Sequence, residues 1–213
     1  MVKQTMGKLT RSIISEILIG MGDSHLDNFT FFCAATCRVP GATAYGLLNN
    51  NSETMAREAF KGFLDAFPKH IPLLCLGEVD CNSLPWKFGR TESPESFIYQ
   101  SIEHLFTFLD EFNRQFILPS VTLPPIDAYK GLGIRHWVTS NMKDRTILVK
   151  LYNALLATKA SEYGHRYLDI TSQTVGPDGL IDKSFIISHN DVHLDPSKMY
   201  SIVRKKLDEV ANV

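Results

Sequence analysis

Short apolar runs alternate with stretches of helical periodicity along most of the chain, which predicts a parallel β-sheet covered by helices on both faces. The run Ile17–Met21 opens a first predicted strand over Ile17–Asp23. A third strand is predicted over Ile71–Gly77, because its apolar residues do not alternate with polar ones, as is typical of a strand buried on both faces. The other predicted strands are Thr43–Leu48, Phe116–Leu123 and Tyr167–Ile170. The pattern therefore predicts the α/β fold class.

Helices are predicted between these strands from apolar residues at three- and four-residue spacing. A turn and a short helix are predicted over Ser24 to about Arg38, and longer helices over about Glu53–Pro68, Pro94–Arg114, Lys143–Tyr163 and Pro196–Val210. Within the first, Cys33 and Cys37 are four residues apart and are expected on one helix. The segments Asn82–Glu95 and Asp127–Asn141 are predicted to be long loops at the functional edge of the sheet.

Composition narrows the class of protein without identifying a function. The 213 residues fit one domain over 1–213, with 44% hydrophobic and 21% charged residues. A net charge of −1 gives no overall field that would steer the chain to nucleic acid or to an acidic membrane. No apolar run approaches the roughly 20 residues of a membrane span, and residues 1–8 lack the apolar centre of a signal peptide, so a cytoplasmic location is expected. The four cysteines lack Cys-x-x-Cys spacing and are expected to be buried thiols rather than metal ligands.

Two segments carry the residue types of a serine hydrolase. Gly22–His25, with the sequence Gly-Asp-Ser-His, directly follows the first apolar run, and open α/β sheets place their ligands at the carboxyl ends of strands. Asn190–Leu194, with the sequence Asn-Asp-Val-His-Leu, lies near the C-terminus. A serine nucleophile, a histidine base and a carboxylate that orients the histidine are the parts of such an enzyme. No serine here has the flanking glycines of the α/β-hydrolase elbow.

These segments resemble the conserved blocks of the SGNH hydrolases, also called the GDSL esterase/lipase superfamily. Gly22–Ser24 resembles the first block, and Gly77–Asp80 stands where the family has Gly-x-Asn-Asp. Gly77–Cys81 is still more similar to a variant third block, Gly-Glu-Ile-Asp-Cys. Pro119–Pro125 resembles the proline-rich stretch after the fourth strand, and Asn190–Leu194 resembles the closing Asp-x-x-His block.

The resemblance implies a flavodoxin-like three-layer α/β/α sandwich with a five-stranded parallel sheet. It implies hydrolysis of an ester or acyl group, often an O-acetyl group on a sugar or a small ester, without a metal or organic cofactor. The substrate partner would then be a small molecule or a carbohydrate ester. By the same resemblance Ser24 is the nucleophile, His193 the base, and Gly46 supplies a second oxyanion N–H beside that of Ser24.

The chain departs from the family pattern at two positions. Val79 stands where the family has the asparagine that donates to the oxyanion, and Asn82 is the candidate replacement. Asn190 stands where the family has the aspartate that orients the histidine, and Asp191 beside it is favoured for that role. A backbone carbonyl that orients His193 in a Ser–His dyad remains an alternative.

Several candidate residues also have simpler explanations. Ser24 could instead cap the following helix, and His189 is a rival base. His25 and Gly77 are further candidates for oxyanion or substrate binding, although His25 could simply be packed and Gly46 could relieve strain in a turn. Asp23 and Asp80 are expected to tie loops together through backbone N–H groups. The loop residues are candidates for a sugar or acyl pocket, or for the small core of a lid: Trp86, Phe88, Arg90, Arg135, His136 and Trp137.

Three functions follow in order of support. The first is a serine hydrolase, with acyl transfer to another alcohol as a close variant. The second is a non-catalytic binding domain on the same fold, which Val79 and Asn190 motivate because both resemble lost catalytic parts. The third is a nucleotide-binding flavodoxin-like domain, which the absence of a Gly-rich phosphate loop after the first strand disfavours.

Overall fold

A computed structural model describes residues 17–87, 91–126, 138–188 and 191–211. Its centre is a five-stranded sheet with the order β2-β1-β3-β4-β5, and the paired strands are parallel. The strands are β1 (Leu18–Gly22), β2 (Ala35–Arg38), β3 (Ile71–Cys75), β4 (Ile117–Pro119) and β5 (Arg166–Leu168). This order is that of the flavodoxin-like fold, so the predicted fold class is confirmed.

Helices cover both faces of the sheet. The α-helices of the described residues are α1 (Ala56–Ala66), α2 (Glu78–Asn82), α3 (Pro94–Leu109), α4 (Met142–Glu162) and α5 (Pro196–Ala211). Because crossovers between parallel strands are right-handed, the connection from β1 to β2 covers one face and the next three connections cover the other. On the first face α5 contacts the 3-10 turn Ser24–Asn28, whereas α3 and α4 pack against each other on the second. Across the described part of the chain, no helix combines the length and apolar character needed to cross a bilayer.

The ends of β1 and β3 lie side by side at the carboxyl edge of the sheet. β1 is buried along its whole length between β2 and β3, and Gly22 pairs with Cys75. A side chain on Gly22 would collide with the Cys75 carbonyl oxygen, so this approach requires glycine. The Asp23 N–H then donates to that carbonyl at 3.2 Å. The first strand thus ends one residue earlier than predicted, and the chain turns at Asp23.

The turn predicted at Ser24 is present, but the short helix predicted between it and Arg38 is wrong. The segment forms two 3-10 turns, Ser24–Asn28 and Thr30–Phe32, followed by β2. β2 is an edge strand whose residues alternate between half-buried and exposed, so it has no apolar run that marks it in the sequence. Cys33 and Cys37 therefore do not share a helix, although their spacing suggested one.

The predicted strand over Thr43–Leu48 is also wrong, because Tyr45–Leu48 is a 3-10 helix. The cause lies elsewhere in the chain. The Asp80 carboxylate accepts hydrogen bonds from the N–H groups of Ala44 and Tyr45, each at 2.9 Å. These two N–H groups therefore do not donate to a neighbouring strand. The predicted loop Asn82–Glu95 is likewise shorter than expected, because α2 ends at Asn82 and Leu84–Trp86 forms another 3-10 turn.

Gly77 joins β3 to α2 in a conformation that favours glycine. Its φ is +116°, and a Cβ there would lie 2.6 Å from the Tyr152 ring and 2.7 Å from Val121. We expect Gly77→Ala to lower the free energy of unfolding by about 2–4 kcal/mol, because backbone strain and overpacking add. Urea unfolding measures this change.

Gly62→Ala is the matched control. Gly62 lies inside α1, and an added Cβ meets no atom of the described residues within 4 Å. We expect this substitution to raise the free energy of unfolding by about 0.5–1 kcal/mol, because alanine favours the helix. Equal stability of the two variants would contradict the account of Gly77.

Candidate active site

The Ser24 turn, residues 24–28, begins where β1 ends. Asp23 caps this turn, since its Oδ1 accepts the His25 N–H at 2.8 Å. The capping alternative for Ser24 is therefore not needed, because Asp23 has that role. Ser24 itself is half-buried, and it stands at the first position of the turn, where N–H groups have no acceptor within the helix.

The His193 segment, residues 191–194, is anchored beside the 3-10 turn Lys183–Phe185. Ile186 and Leu194 form an antiparallel bridge, and the Asp195 N–H donates to the Phe185 carbonyl at 2.8 Å. Leu194 is fully buried in the core, as an anchor for the histidine would be. This attachment explains how an irregular segment can hold a side chain in a fixed position.

Asp191 contacts His193 twice. Its Oδ1 accepts the His193 backbone N–H at 2.9 Å and lies 2.8 Å from His193 Nδ1. Burial acts to raise the pKa of Asp191, but these hydrogen bonds outweigh it and hold the pKa below its ordinary value. Asn190, the alternative orienting residue, and His189, the rival base, lie outside the described residues.

The second ring nitrogen of His193 is buried and has no hydrogen-bond partner among the described residues. With Nδ1 turned to Asp191, this nitrogen, Nε2, is the one that can exchange a proton with a neighbouring hydroxyl. The ring lies next to the Ser24 turn, since its centroid is 4.8 Å from that of the His25 ring at an interplanar angle of 33°. The fold thus brings together two segments that were predicted to meet.

His25 is buried between this histidine and two carboxylates. Its Nε2 lies 3.3 Å from the Val192 carbonyl oxygen, while Nδ1 lies 3.5 Å from Asp23 Oδ1 and 4.0 Å from Glu78 Oε2. Burial acts to lower the pKa of His25, but Glu78, Asp23 and the Val192 carbonyl together raise it to about 9. His25 is therefore an imidazolium at neutral pH.

Sequence reasoning missed Glu78 and the Val192 carbonyl as parts of this cluster. A signal for Glu78 was present, because a charged residue directly after a fully apolar strand must find a partner if it is buried. Glu78 is 4% exposed. The Val192 carbonyl gives no signal, since every residue has one.

The third block supplies structure around the site. Asp80 is fully buried, and burial raises its pKa to about 6 against the hydrogen bonds from Tyr45 and Ala44. The tying role is confirmed for Asp80, which binds the N–H groups of Ala44 and Tyr45, whereas Asp23 accepts an N–H of its own turn. Val79 is half-buried in α2 and has no polar side chain to offer.

The candidate oxyanion residues of this region have other contacts. The Gly46 N–H donates to Thr43 Oγ1 at 2.8 Å, so it would have to leave this acceptor to bind an oxyanion. Asn82 is 1% exposed, and its amide nitrogen faces Glu78 Oε1 at 3.4 Å. Gly77 is buried under the Tyr152 ring. Of the three, none presents an open donor in the described structure.

A mostly apolar cavity of about 820 Å³ is lined at one place by Ser188. The Ser188 carbonyl accepts the Asp191 N–H at 3.3 Å. Most other lining residues are apolar: Pro125, Ile126, Met142, Leu180, Ile181, Ile186 and Ile187. Binding sites for small molecules are typically apolar with a few polar groups, as here.

The two long loops meet at one point. Lys87 forms a bridge with Val138, and Thr139 Oγ1 donates to the Trp86 carbonyl at 3.3 Å. The Trp86 indole N–H donates to the Cys81 carbonyl at 2.8 Å, which ties this ring to α2. The other predicted pocket residues, Phe88, Arg90, Arg135, His136 and Trp137, lie outside the described residues.

Asp23, His25 and Glu78 also have the donor types of a metal site. Their candidate ligand atoms lie within 4.8 Å of one another, and all three residues are buried. The contacts between imidazolium and carboxylates already account for this proximity, because a buried cation needs opposite charge beside it.

Comparison with known proteins supports the fold. No family model matches the chain, and no curated protein does. Among solved structures, a GDSL-like lipase of Bacteroides thetaiotaomicron VPI-5482 superposes with a TM-score of 0.59 at 15% identity, covering 91% of this chain and 86% of its own. A protein of Bacteroides fragilis NCTC 9343, proposed to be an acylhydrolase, gives 0.62 at 13% identity, with 92% and 86% covered.

Est24, a carbohydrate acetylesterase of Sinorhizobium meliloti, superposes with a TM-score of 0.56 at 12% identity, covering 92% of this chain and 98% of its own. At such identities the likeness establishes the fold. The chain shares the fold of these structures, an α/β sheet of five parallel strands flanked by helices.

The charge on His25 predicts a stability that depends on pH. Because the pKa rises from 6.5 to about 9 on folding, His25 stabilises the fold fully below pH 6.5, and this contribution is lost as the pH rises through 9. We expect the free energy of unfolding to fall over that range, by on the order of 3 kcal/mol. Urea unfolding at a series of pH values measures this slope.

Glu78→Gln should flatten the slope, because the charge of Glu78 is the largest single cause that raises the pKa of His25. Glu95→Gln is the control, since Glu95 is an exposed acid in the first turn of α3. Identical slopes in wild type and Glu78→Gln would refute a buried imidazolium at this position.

Proposed function

We propose that this protein is a serine hydrolase that cleaves an ester or acyl group through an acyl-enzyme. The observation that carries the proposal is the state of His193: Nδ1 is held by Asp191 at 2.8 Å, and Nε2 is buried beside the Ser24 turn without a hydrogen-bond partner among the described residues. A general base needs one nitrogen fixed by an acceptor and the other available to the nucleophile.

In the proposed reaction Ser24 attacks the acyl carbonyl while His193 Nε2 takes the hydroxyl proton. His193 returns that proton to the leaving alcohol as the acyl-enzyme forms. Water then attacks the acyl-enzyme, again with His193 as base, and releases the acid and the free serine. Asp191 stabilises the imidazolium that forms on His193 in each step.

The oxyanion that develops in these steps needs hydrogen-bond donors. The Ser24 N–H is the proposed main donor, because the first N–H groups of a helical turn lack acceptors within it. Val79 cannot replace the asparagine of the family pattern, and the loss of one such donor lowers the rate by about 10²–10³-fold. We therefore expect slow ester hydrolysis.

The apolar cavity next to Ser188 supports an ester whose acyl or alcohol part is apolar. Its 820 Å³ falls in the range of small-molecule sites, and Ser188 contacts the backbone of Asp191. A carbohydrate ester, as hydrolysed by Est24 of Sinorhizobium meliloti, is an alternative substrate of the same reaction class. Acyl transfer differs only in the final acceptor, so an added alcohol that diverts the product from acid to ester would identify it.

A non-catalytic binding domain is the second candidate, and Val79 favours it. The arrangement of Ser24, His193 and Asp191 does not itself favour a binding role over a catalytic one. Reaction of the protein with a fluorophosphonate probe separates the two candidates, because labelling needs an activated serine.

Loss of Ser24 or His193 tests the main proposal. We expect Ser24→Ala and His193→Ala each to lower kcat on p-nitrophenyl acetate by about 10³-fold or more, with KM changed only a few-fold. Fluorophosphonate labelling should disappear in Ser24→Ala. Ser96→Ala, at an exposed serine of α3, should behave as wild type. Undiminished turnover in Ser24→Ala would end the proposal.

Asp191 and Asn190 can be separated by the same assay. We expect Asp191→Asn to lower kcat by about 10²–10⁴-fold, because an amide cannot stabilise the imidazolium by charge. Asn190→Ala should change kcat by less than about threefold, as a substitution outside the reacting groups does. The reverse ranking would assign the orienting role to Asn190.

A further inference from the structure

His25 contacts the His193 segment in two ways. Its Nε2–H donates to the Val192 carbonyl at 3.3 Å, and its ring faces that of His193 with centroids 4.8 Å apart. The two bonded residues are 167 positions apart in the chain. Because His25 directly follows Ser24, these contacts join the residue next to the proposed nucleophile to the segment that carries the proposed base.

Two carboxylates lie along the opposite edge of the His25 ring. Nδ1 lies against Asp23 of its own loop and Glu78 of the first turn of α2. The side chain is 6% exposed. Rotation of the ring would separate Nδ1 from the carboxylates or Nε2 from the Val192 carbonyl. The orientation of the imidazole is thus fixed by two neighbouring strand ends.

His193 needs such a contact to be placed relative to Ser24. Its bond to Asp191 lies within one turn, so it fixes the ring relative to its own segment. The bridge between Ile186 and Leu194 fixes the far end of that segment. The His193 ring is 35% exposed, so core packing on its own leaves it free to move. The described contact that reaches the ring from the Ser24 turn is His25.

We infer that His25 is a positioning residue of the proposed hydrolase: it docks the His193 segment onto the Ser24 turn through the Val192 carbonyl and the face of the His193 ring. This inference rests on the proposed roles of Ser24 and His193. It also removes His25 from the candidates for oxyanion binding, because its Nε2–H donates to the Val192 carbonyl and its Nδ1 faces two carboxylates.

The expected consequence is a loss of turnover rather than of binding. A displacement of about 1 Å between reacting groups can lower a rate by about 10²-fold. We expect His25→Ala to lower kcat on p-nitrophenyl acetate by about 10–100-fold while KM changes by less than about threefold. His25→Gln keeps a donor and His25→Phe keeps a ring, so each should recover part of the loss.

A double-mutant cycle distinguishes positioning from a merely structural role. In the His193→Ala background, His25→Ala should cause no further loss of the residual rate, because no base remains to be positioned. Equal fold-losses in both backgrounds would overturn the inference, as would wild-type kcat in His25→Ala. Circular dichroism verifies folding, and if His25→Ala unfolds, the same cycle is run with His25→Gln and His25→Phe.

The cycle also separates failure of this inference from failure of the proposed function. Wild-type turnover in Ser24→Ala or His193→Ala would refute the hydrolase itself. A large loss in those two variants together with additive effects of His25 substitutions would leave the hydrolase in place and refute the positioning role alone.

Discussion

The close approach of β1 and β3 is the constraint on which the rest of the site depends. Because Gly22 lies directly against the Cys75 carbonyl, the loops that leave these two strands begin side by side. The segment after β1 carries Asp23, Ser24 and His25, and the segment after β3 leads into α2, which carries Glu78 and Asp80. A buried cluster of opposite charges is the result, and it must be paired because isolated charges are costly to bury.

That cluster connects segments that are far apart in the sequence. Asp80 turns away from it to hold the loop 44–45 after β2, while Glu78 and Asp23 hold His25. His25 in turn reaches the segment before α5 through Val192. Loops after β1, β2 and β3 and the last loop of the chain are therefore tied by hydrogen bonds and ion pairs in addition to the packing of buried residues such as Leu26 and Leu194. Such ties fix distances and angles, which an active site requires.

The sequence was sufficient for the elements with strong patterns and insufficient where long-range contacts decide. β1, β3 and the long helices were found because their apolar residues are continuous or periodic. β2 was missed because only alternate residues of this edge strand face the core, so the strand has no continuous apolar run. The 3-10 helix at Tyr45 was taken for a strand because its conformation depends on Asp80, 35 residues away.

The site shows the same division between local and distant information. The proximity of the Ser24 turn and His193 followed from the order of the blocks along a parallel sheet. The contact of Asp191 with His193 was foreseeable because it spans two residues. The partners of His25 were not named: Val192 offers only a backbone carbonyl, and the position of Glu78 after an apolar strand indicates a buried partner without saying which one.

The choice between a hydrolase and a non-catalytic relic turns on one atom. A buried polar atom without a hydrogen bond costs about 1–3 kcal/mol, and native structures rarely keep one without a functional reason. His193 Nε2 is one of several such atoms among the described residues, His25 Nδ1 being another, while Nδ1 of the His193 ring lies 2.8 Å from Asp191 Oδ1. In a domain that only binds, a substitution at 193 that removes the unpaired nitrogen would be stabilising and harmless. Val79 indicates that one oxyanion donor has been lost, which slows the reaction. The unpaired nitrogen of His193 indicates that the site still serves a reaction.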